Sequence, residues 1–261
     1  MTDSATQPTL AMTAAGPVAT VTFARPQKSN AYNKAMLRAF DDCIGRAGDD
    51  PAIRVLVLRG EGRHFCAGAD LGPAEEAPSG AAAPGVAEVC LRLSTLPKPT
   101  VALVQGACIG GGMAFVTCCD VVIAARDAFF SLPEVRLGFS PTSLIPFVLQ
   151  AIGERPAKRL LMSGARIGAD EALRIGLASE LCAPDTMEAS LSAALSALLQ
   201  SAPGAVATIK AQVAQLRHQA PTPKLLAELQ RAFDRARDSP EAQEGRAAIR
   251  AKRPPNWAVK A

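Results

Sequence analysis

The residues of this chain best suited to chemistry are three consecutive glycines, Gly110, Gly111 and Gly112. They follow an apolar, partly β-branched run, Val101 to Val104, that reads as a buried strand. They precede an unbroken apolar run, Met113 to Cys118, that reads as a buried helix. The first N–H groups of a helix lack internal partners, and the helix dipole favours negative charge there. Glycine removes the Cβ atoms that would block close approach. A phosphate or a developing oxyanion would be stabilised at such a turn. A tight strand-to-helix connection would use the same residues. Two common phosphate loops are excluded: no Lys-Ser or Lys-Thr follows the glycines, and Gly-x-Gly-x-x-Gly is absent. A second glycine-bearing turn runs upstream from Gly60 to Leu71.

The elements that must carry these turns are visible in the hydrophobic pattern. Residues 1–15 are small and polar and are expected to form a loose tail. Val18 to Phe23 alternates as a strand does. Arg25 to Asn33 is a polar loop, and Asn33 is placed to cap a helix from Lys34 to Ala47 with Met36, Leu37, Phe40 and Ile44 on its apolar face. Val55 to Leu58 reads as a strand buried on both faces. Residues 72–85 lack apolar periodicity and are expected to be a mobile surface loop. A helix follows from Val86 to Leu96, a strand from Asp120 to Ala124, and a short strand and turn from Phe129 to Gly138. From Ser143 the pattern is helical, with breaks near Gly153, Gly164 and Gly176 and a short helix opening at Asp170. Helices over 186–201, 204–219, 222–236 and 240–252 close the chain. The division expected is a β/α core over 1–195 and a helical region over 196–261, which would make a poor domain alone and would pack on a neighbouring subunit.

With 261 residues, 49% hydrophobic and 20% charged, the chain can bury a sizeable core. Aromatics are only 4%, so Ala, Val, Leu and Ile must build most of it. The net charge of +4 and the absence of a Lys/Arg block argue against nucleic acid as a partner. Seven cysteines, most in apolar segments, read as buried free thiols in a reducing compartment, the cytoplasm. No Cys/His cluster points to a metal. The N-terminus shows no secretory signal region, and no apolar run is long enough to span a membrane.

Five short motifs in order resemble the crotonase, or enoyl-CoA hydratase/isomerase, superfamily. They are Arg25-Pro-Gln-Lys-Ser-Asn-Ala31, Phe65-Cys-Ala-Gly-Ala-Asp-Leu71, Gly106-Ala-Cys-Ile-Gly-Gly-Gly112, Cys119-Asp120 with Pro133-Glu134, and Glu244-Gly-Arg-Ala-Ala-Ile-Arg-Ala-Lys-Arg253. The resemblance covers nearly the whole chain. It implies an α/β fold, a spiral of β-β-α repeats with a helical C-terminal trimerisation region, assembled as a homotrimer or a dimer of trimers. It implies an acyl-CoA thioester as substrate and no prosthetic group, CoA being part of the substrate, with lipid breakdown as the default pathway. By position, the N–H groups of Ala69 and Gly111 would hold the thioester oxygen. Arg25, Lys28, Ala31, Ala67, Asp70 and Leu71 would line the CoA site, several through backbone atoms. Phe233, Ile249 and Lys252 fall where an adjacent subunit meets the nucleotide end. Lys28, Arg25 and Lys252 also suit the phosphate charges of CoA. A thioester carbonyl held by two N–H donors can accept charge as an enolate, which leaves a proton to be moved by an acid/base.

One departure from the family pattern matters. Hydratases of this superfamily use two glutamates, one standing two residues after the last glycine and one ending the Pro-Glu segment. Here the first position is Ala114 and the second is Glu134. A methyl group cannot activate water. One retained glutamate resembles the enoyl-CoA isomerase branch, in which a single carboxylate shuttles a proton between the carbons α and γ to the thioester. The stretch from Val135 to Val148 resembles instead the methylglutaconyl-CoA hydratase-like branch. Other groups near the turns are Asp70, Glu75 and Glu76 in the 72–85 loop, His64 facing solvent, and Ser140, Thr142 and Ser143 beside Glu134. Ala114, Met113 and Phe139 would form an apolar pocket wall for a branched or bulky acyl group. Three functions are open at this point: a hydratase/isomerase with Glu134 as proton shuttle, a double-bond isomerase only, and a non-catalytic acyl-CoA-binding protein.

Overall fold

The structure, a computed structural model, describes residues 9–72, 83–217 and 219–259. Its first half alternates strand and helix: β1 (Leu10–Ala15), β2 (Val18–Phe23), α1 (Lys34–Asp49), β3 (Val55–Gly60), α2 (Val86–Thr95), β4 (Thr100–Val104), β5 (Ala107–Ile109), α3 (Gly111–Thr117), β6 (Val121–Ala125) and β7 (Phe129–Ser131). The second half is α4 (Ile145–Ile152), α5 (Glu154–Ser163), β8 (Ile167–Gly168), α6 (Ala169–Arg174), β9 (Glu180–Cys182), α7 (Met187–Leu199), α8 (Pro203–Leu216), α9 (Pro223–Arg237) and α10 (Pro240–Arg250). The expected loose tail is corrected over 10–15. Those residues form β1, which turns at Gly16 and pairs antiparallel with β2 along its whole length. The alternation that marks a strand is weak there because one face of β1 meets solvent at its far end. The segment expected to be mobile falls largely on 73–82, outside the described residues.

The strands form two sheets. One has six strands in the order β1-β2-β3-β4-β6-β9, parallel from β2 onward. The other has three, β5-β7-β8. The chain visits them in turn: β4 and β6 lie in the large sheet, and β5 and β7, which follow them, lie in the small one. The stretch after β3 does the same, because Cys66 forms a parallel bridge to Cys108 on β5. This is a β-β-α spiral of the expected kind.

The apolar runs of the parallel strands are buried on both faces because successive side chains feed two cores. Leu56, Leu58, Ala102, Val104, Val122 and Ala124 join the main core with α1, α2 and α3. Their neighbours Val55, Val57, Val101, Leu103 and Ile123 join a second core closed by Leu191, Leu195 and Leu199 of α7. Beyond α7 burial falls away, and Ala248 is the one fully buried residue described in α8 to α10. No single described helix is long and apolar enough to cross a membrane.

Asp120 ties the sheet to the C-terminal helices. One of its carboxylate oxygens accepts from the Thr100 N–H (2.8 Å), the Thr100 hydroxyl (2.9 Å) and Lys210 Nζ on α8 (2.7 Å). Lys210 also donates to the Lys98 carbonyl (3.1 Å). The C-terminal Glu244–Arg253 motif is likewise structural. Glu244 accepts from both terminal nitrogens of Arg253 and from the Asn256 N–H, which holds its carboxyl down at about 2. Replacing Asp120 by Ala removes one acceptor oxygen and with it three hydrogen bonds, from a mostly buried cation, an amide and a hydroxyl. Hydrogen bonds to charged groups are worth about 1.5–3 kcal/mol each, and the orphaned donors partly rehydrate. The Asp120→Ala chain should therefore lose about 2–3 kcal/mol, read as a lowered urea midpoint. An unchanged midpoint would contradict the tie.

Candidate active site

The polar loop after β2 is held by its own side chains. Ser29 and Asn30 both adopt left-handed backbone, at φ 51° and 57°. Asn30 is fully buried, accepts from the Arg25 N–H (2.9 Å), and donates to the carbonyls of Glu61 (2.9 Å) and His64 (2.7 Å). Asparagine tolerates this backbone better than most residues, and here its amide also replaces lost chain–chain hydrogen bonds. Sequence reading passed over Asn30, whose only signal was its place between two polar residues and an alanine. Asn33 caps α1 as expected, accepting from the Met36 N–H (2.9 Å).

This loop is stitched to the second glycine turn. The Ala67 N–H donates to Ser29 C=O (3.0 Å), Tyr32 N–H to Gly68 C=O (2.9 Å), and Asp70 N–H to Tyr32 C=O (2.8 Å). Tyr32 and Ala69 thus form a parallel bridge in which the N–H of Ala69 itself points away from Tyr32. Asp70 closes the other side. Arg25 is buried, with one guanidinium nitrogen on the Ala31 carbonyl (2.6 Å) and another on Asp70 (2.9 Å), and Lys28 also reaches Asp70 (3.1 Å). Lys28, the Gly72 N–H and Arg25 together hold the Asp70 carboxyl down at about 2. Arg25, Lys28, Ala31, Ala67 and Asp70 are therefore gathered in one place, next to Ala69.

The two glycine turns touch. A Cβ on Gly68 would lie 3.0 Å from the Ile109 carbonyl oxygen and 3.7 Å from Gly110 Cα, and one on Gly112 would lie 2.6 Å from the Cys66 carbonyl oxygen. A Cβ on Gly111 would collide with the Tyr32 hydroxyl. The glycines are needed for this contact, not merely for a tight turn. Among the described residues, the N–H groups of Ala69 and Gly111 donate none of the backbone hydrogen bonds that tie the two turns together, whereas those of Asp70 and Gly110 do. Two unused donors thus sit on turns in mutual contact.

Glu134 faces them. It lies in a single 3-10 turn, Pro133–Leu137, ended by Gly138 at φ 86°. The Gly110 N–H donates to Ser131 C=O (2.9 Å), and the Ser131 hydroxyl to Gly164 C=O (3.2 Å), which fixes that turn against the glycines. A Cβ on Gly110 would come within 2.9 Å of Glu134 Oε1. Glu134 Oε2 is buried and has no hydrogen-bond partner among the described residues. Burial pushes its carboxyl above the ordinary value, and its own backbone N–H offsets only part of this.

The remaining expected residues are placed less centrally. Met113 and Ala114 are completely buried in the main core, and Phe139 is half exposed on the surface beyond Glu134. Ser140, Thr142 and Ser143 are exposed, as is Leu71. His64 does not simply face solvent: its Nδ1 accepts from the Ala107 N–H (3.0 Å), and burial lowers its pKa. Glu75 and Glu76 lie outside the described residues. Phe233 on α9 and Ile249 on α10 are 60% and 79% exposed, and Lys252 sits at a left-handed turn after α10. No hydrogen bond joins these three to the glycine turns among the described residues.

Comparison with known proteins fits this geometry. Residues 13–260 match the family described as enoyl-CoA hydratase/isomerase. The chain is 37% identical over 174 residues to a crotonyl-CoA hydratase of Syntrophomonas wolfei, covering 62% of this chain and 65% of that protein, a little under two thirds of its length. It is 35% identical over 196 residues to a short-chain-enoyl-CoA hydratase of Clostridium acetobutylicum, covering 73% and 75%. The crystal structure of an enoyl-CoA hydratase from Shewanella pealeana superposes with a TM-score of 0.88 at 31% identity over 96% of both chains. A chain with two touching glycine turns, a carboxylate beside them and these relatives belongs to the enoyl-CoA hydratase/isomerase family, the crotonases, and is an enzyme of the hydratase/isomerase type.

Proposed function

We propose that the chain binds an enoyl-CoA thioester, polarises its carbonyl between the N–H groups of Ala69 and Gly111, and moves a proton with Glu134. The observation that carries this reading is the Glu134 carboxylate, with one oxygen against Gly110 and the other buried without a partner. A carboxylate left unsatisfied at a site of spare N–H donors is costly unless a ligand proton completes it. Charge developing on the thioester oxygen makes the α-proton removable, and one donor in such a hole is worth ~2.7–4 kcal/mol of barrier. Glu134 takes the proton from one carbon and returns it to another. With Ala114 where a second carboxylate would stand, a single-base shift of the double bond is the reaction these residues support best. Water addition is the second reading, favoured by the relatives that are named hydratases. CoA would lie along the 25–33 loop, with Lys28, half exposed and paired with Asp70, positioned to meet phosphate and Ala31, Ala67 and Leu71 contributing backbone or apolar contact. Arg25 would act through Asp70, since its guanidinium is already engaged there.

The mass of the product from 2-enoyl- and 3-enoyl-CoA decides between the two reactions. An unchanged mass with a moved double bond is expected, whereas a gain of one water would show hydration. Glu134→Gln should lower kcat by about 10²–10⁴-fold, the usual worth of general acid–base catalysis, and leave acyl-CoA binding intact. Retained turnover would remove Glu134 from the mechanism, and binding without turnover in the parent chain would identify an acyl-CoA-binding protein.

A pH profile gives an independent check. Burial raises the Glu134 pKa, so the neutral form is favoured and the base form populates only at higher pH. kcat/KM should fall on the acid side with an apparent pKa above that of an ordinary glutamate, about 4.3, and Glu134→Gln should erase that limb. A limb at or below that value would contradict the assignment.

The apolar side chains Ile209, Val213, Leu226, Phe233 and Ile249 are exposed on α8 to α10. We assign this surface to contacts between copies of the chain, which would also bring Phe233, Ile249 and Lys252 to a neighbour's nucleotide. Light scattering should give a mass of three chains or a multiple of three. A monomer at micromolar concentration would overturn this.

A further inference from the structure

The side chain that fills the space where Gly111 would carry a Cβ belongs not to a family motif residue but to Tyr32, the only tyrosine in the chain. Its backbone is fixed on both sides by the Gly68 and Asp70 hydrogen bonds of the second glycine turn. Its ring packs on Phe115 of α3, with centroids 5.4 Å apart. Its hydroxyl ends against Gly111, where a Cβ would collide with it. The residue as a whole is only 8% exposed. Among the described residues the hydroxyl has no hydrogen-bond partner, yet unlike Glu134 Oε2 it is not sealed from solvent. Buried phenols find a partner as a rule. A phenol packed against Gly111, with no partner for its own O–H, is placed to serve the same acceptor as the Gly111 N–H.

We propose that the Tyr32 hydroxyl is a third hydrogen-bond donor to the thioester oxygen, alongside the N–H groups of Ala69 and Gly111. Burial first, then Cys66, Cys90 and Glu134, push its pKa well above that of an ordinary phenol, so it stays protonated and donates. It transfers no proton: Glu134 moves the proton between carbons, and Tyr32 O–H holds the oxygen on which charge collects. This rests on reading the two turns as a thioester site.

The test uses bound butyryl-CoA, a saturated ester, and the isotope-edited infrared band of its thioester carbonyl, together with turnover of an enoyl-CoA. In the parent chain the band should fall below that of the free ester. Tyr32→Phe keeps the ring and removes only the hydroxyl. Its band should move back toward the free ester, and kcat should drop on the order of 10²-fold, the low end for loss of one oxyanion donor, with KM and thermal midpoint unchanged. Because the tyrosine is unique, growth on 3-fluorotyrosine changes this one phenol, strengthens its donor and should move the band further down, which keeps the test available if Tyr32→Phe folds poorly. A Tyr32→Phe or fluorotyrosine protein whose band matches the parent overturns the role of Tyr32 while the thioester site stands. A parent chain that leaves the butyryl-CoA band where it is in solution overturns the thioester site and the Tyr32 role together.

Discussion

At Gly112 a Cβ would stand 2.6 Å from the Cys66 carbonyl oxygen, and at Gly68 one would stand 3.0 Å from that of Ile109. The rest of the site depends on this approach of two backbone turns. It can be made only where neither turn carries a side chain, and the hydrogen bonds on either side then hold the turns there: Cys66 to Ala107 and Ile109, and Gly110 to Ser131. Ala69 and Gly111 sit just past the points of contact, so their N–H groups are left over once the pairing is complete. A donor left over in a rigid frame needs no reorganisation when charge appears beside it, which is how such groups stabilise an oxyanion more than water does.

Electrostatics around the frame divides into two parts. On the solvent side, Arg25, Lys28 and the Gly72 N–H converge on Asp70 and keep it ionised, so that carboxylate is spent on holding the loop. On the inner side, Glu134 is desolvated and unpartnered and its pKa rises. Two carboxylates near one turn are pushed in opposite directions by their surroundings, and that separation is what the role proposed for Glu134 calls for, while Asp70 holds the loop. Beneath both lies an aromatic cluster. Phe23, Phe40, Phe65, Phe115 and Tyr32 pack with centroids 5.2–5.8 Å apart, although aromatics are only 4% of the chain.

Much of this was legible in the residues. Val55 to Leu58 and Val101 to Val104 are continuous apolar runs because each strand feeds two cores, and that pattern has one common structural meaning. The glycine turns and Glu134 were visible as motifs in order. The tail was misread because burial along β1 falls away steadily from Leu10 to three exposed residues at its end, so no period-two signal marks it where only the hairpin partner supports it. Asn30 and Tyr32 were missed for another reason. Their importance comes from atoms tens of residues away, Glu61 and His64 for one and Gly111 for the other, and no local periodicity reports such contacts. The helical region was expected to pack on a neighbouring subunit, but which apolar side chains of α8 to α10 stay exposed was not legible, since a helix facing a partner and one facing solvent differ little in sequence.

The pairings that make the site are all long-range in sequence. Ser29–Tyr32 meets Ala67–Asp70, Cys66 meets Cys108, and Gly110 meets Ser131, which draws in the turn carrying Glu134. Each closes a loop whose entropy must be spent before the contact returns anything, so these contacts form late compared with α1 or the β1–β2 hairpin. A chain emerging from the ribosome could build the first strands and α1 and still have no site until residue 134 had folded back. By the same logic, transient opening of the small three-stranded sheet would disperse the donors and the carboxylate while the six-stranded sheet stayed intact. Loss of function on mild heating would then precede loss of the bulk of the secondary structure.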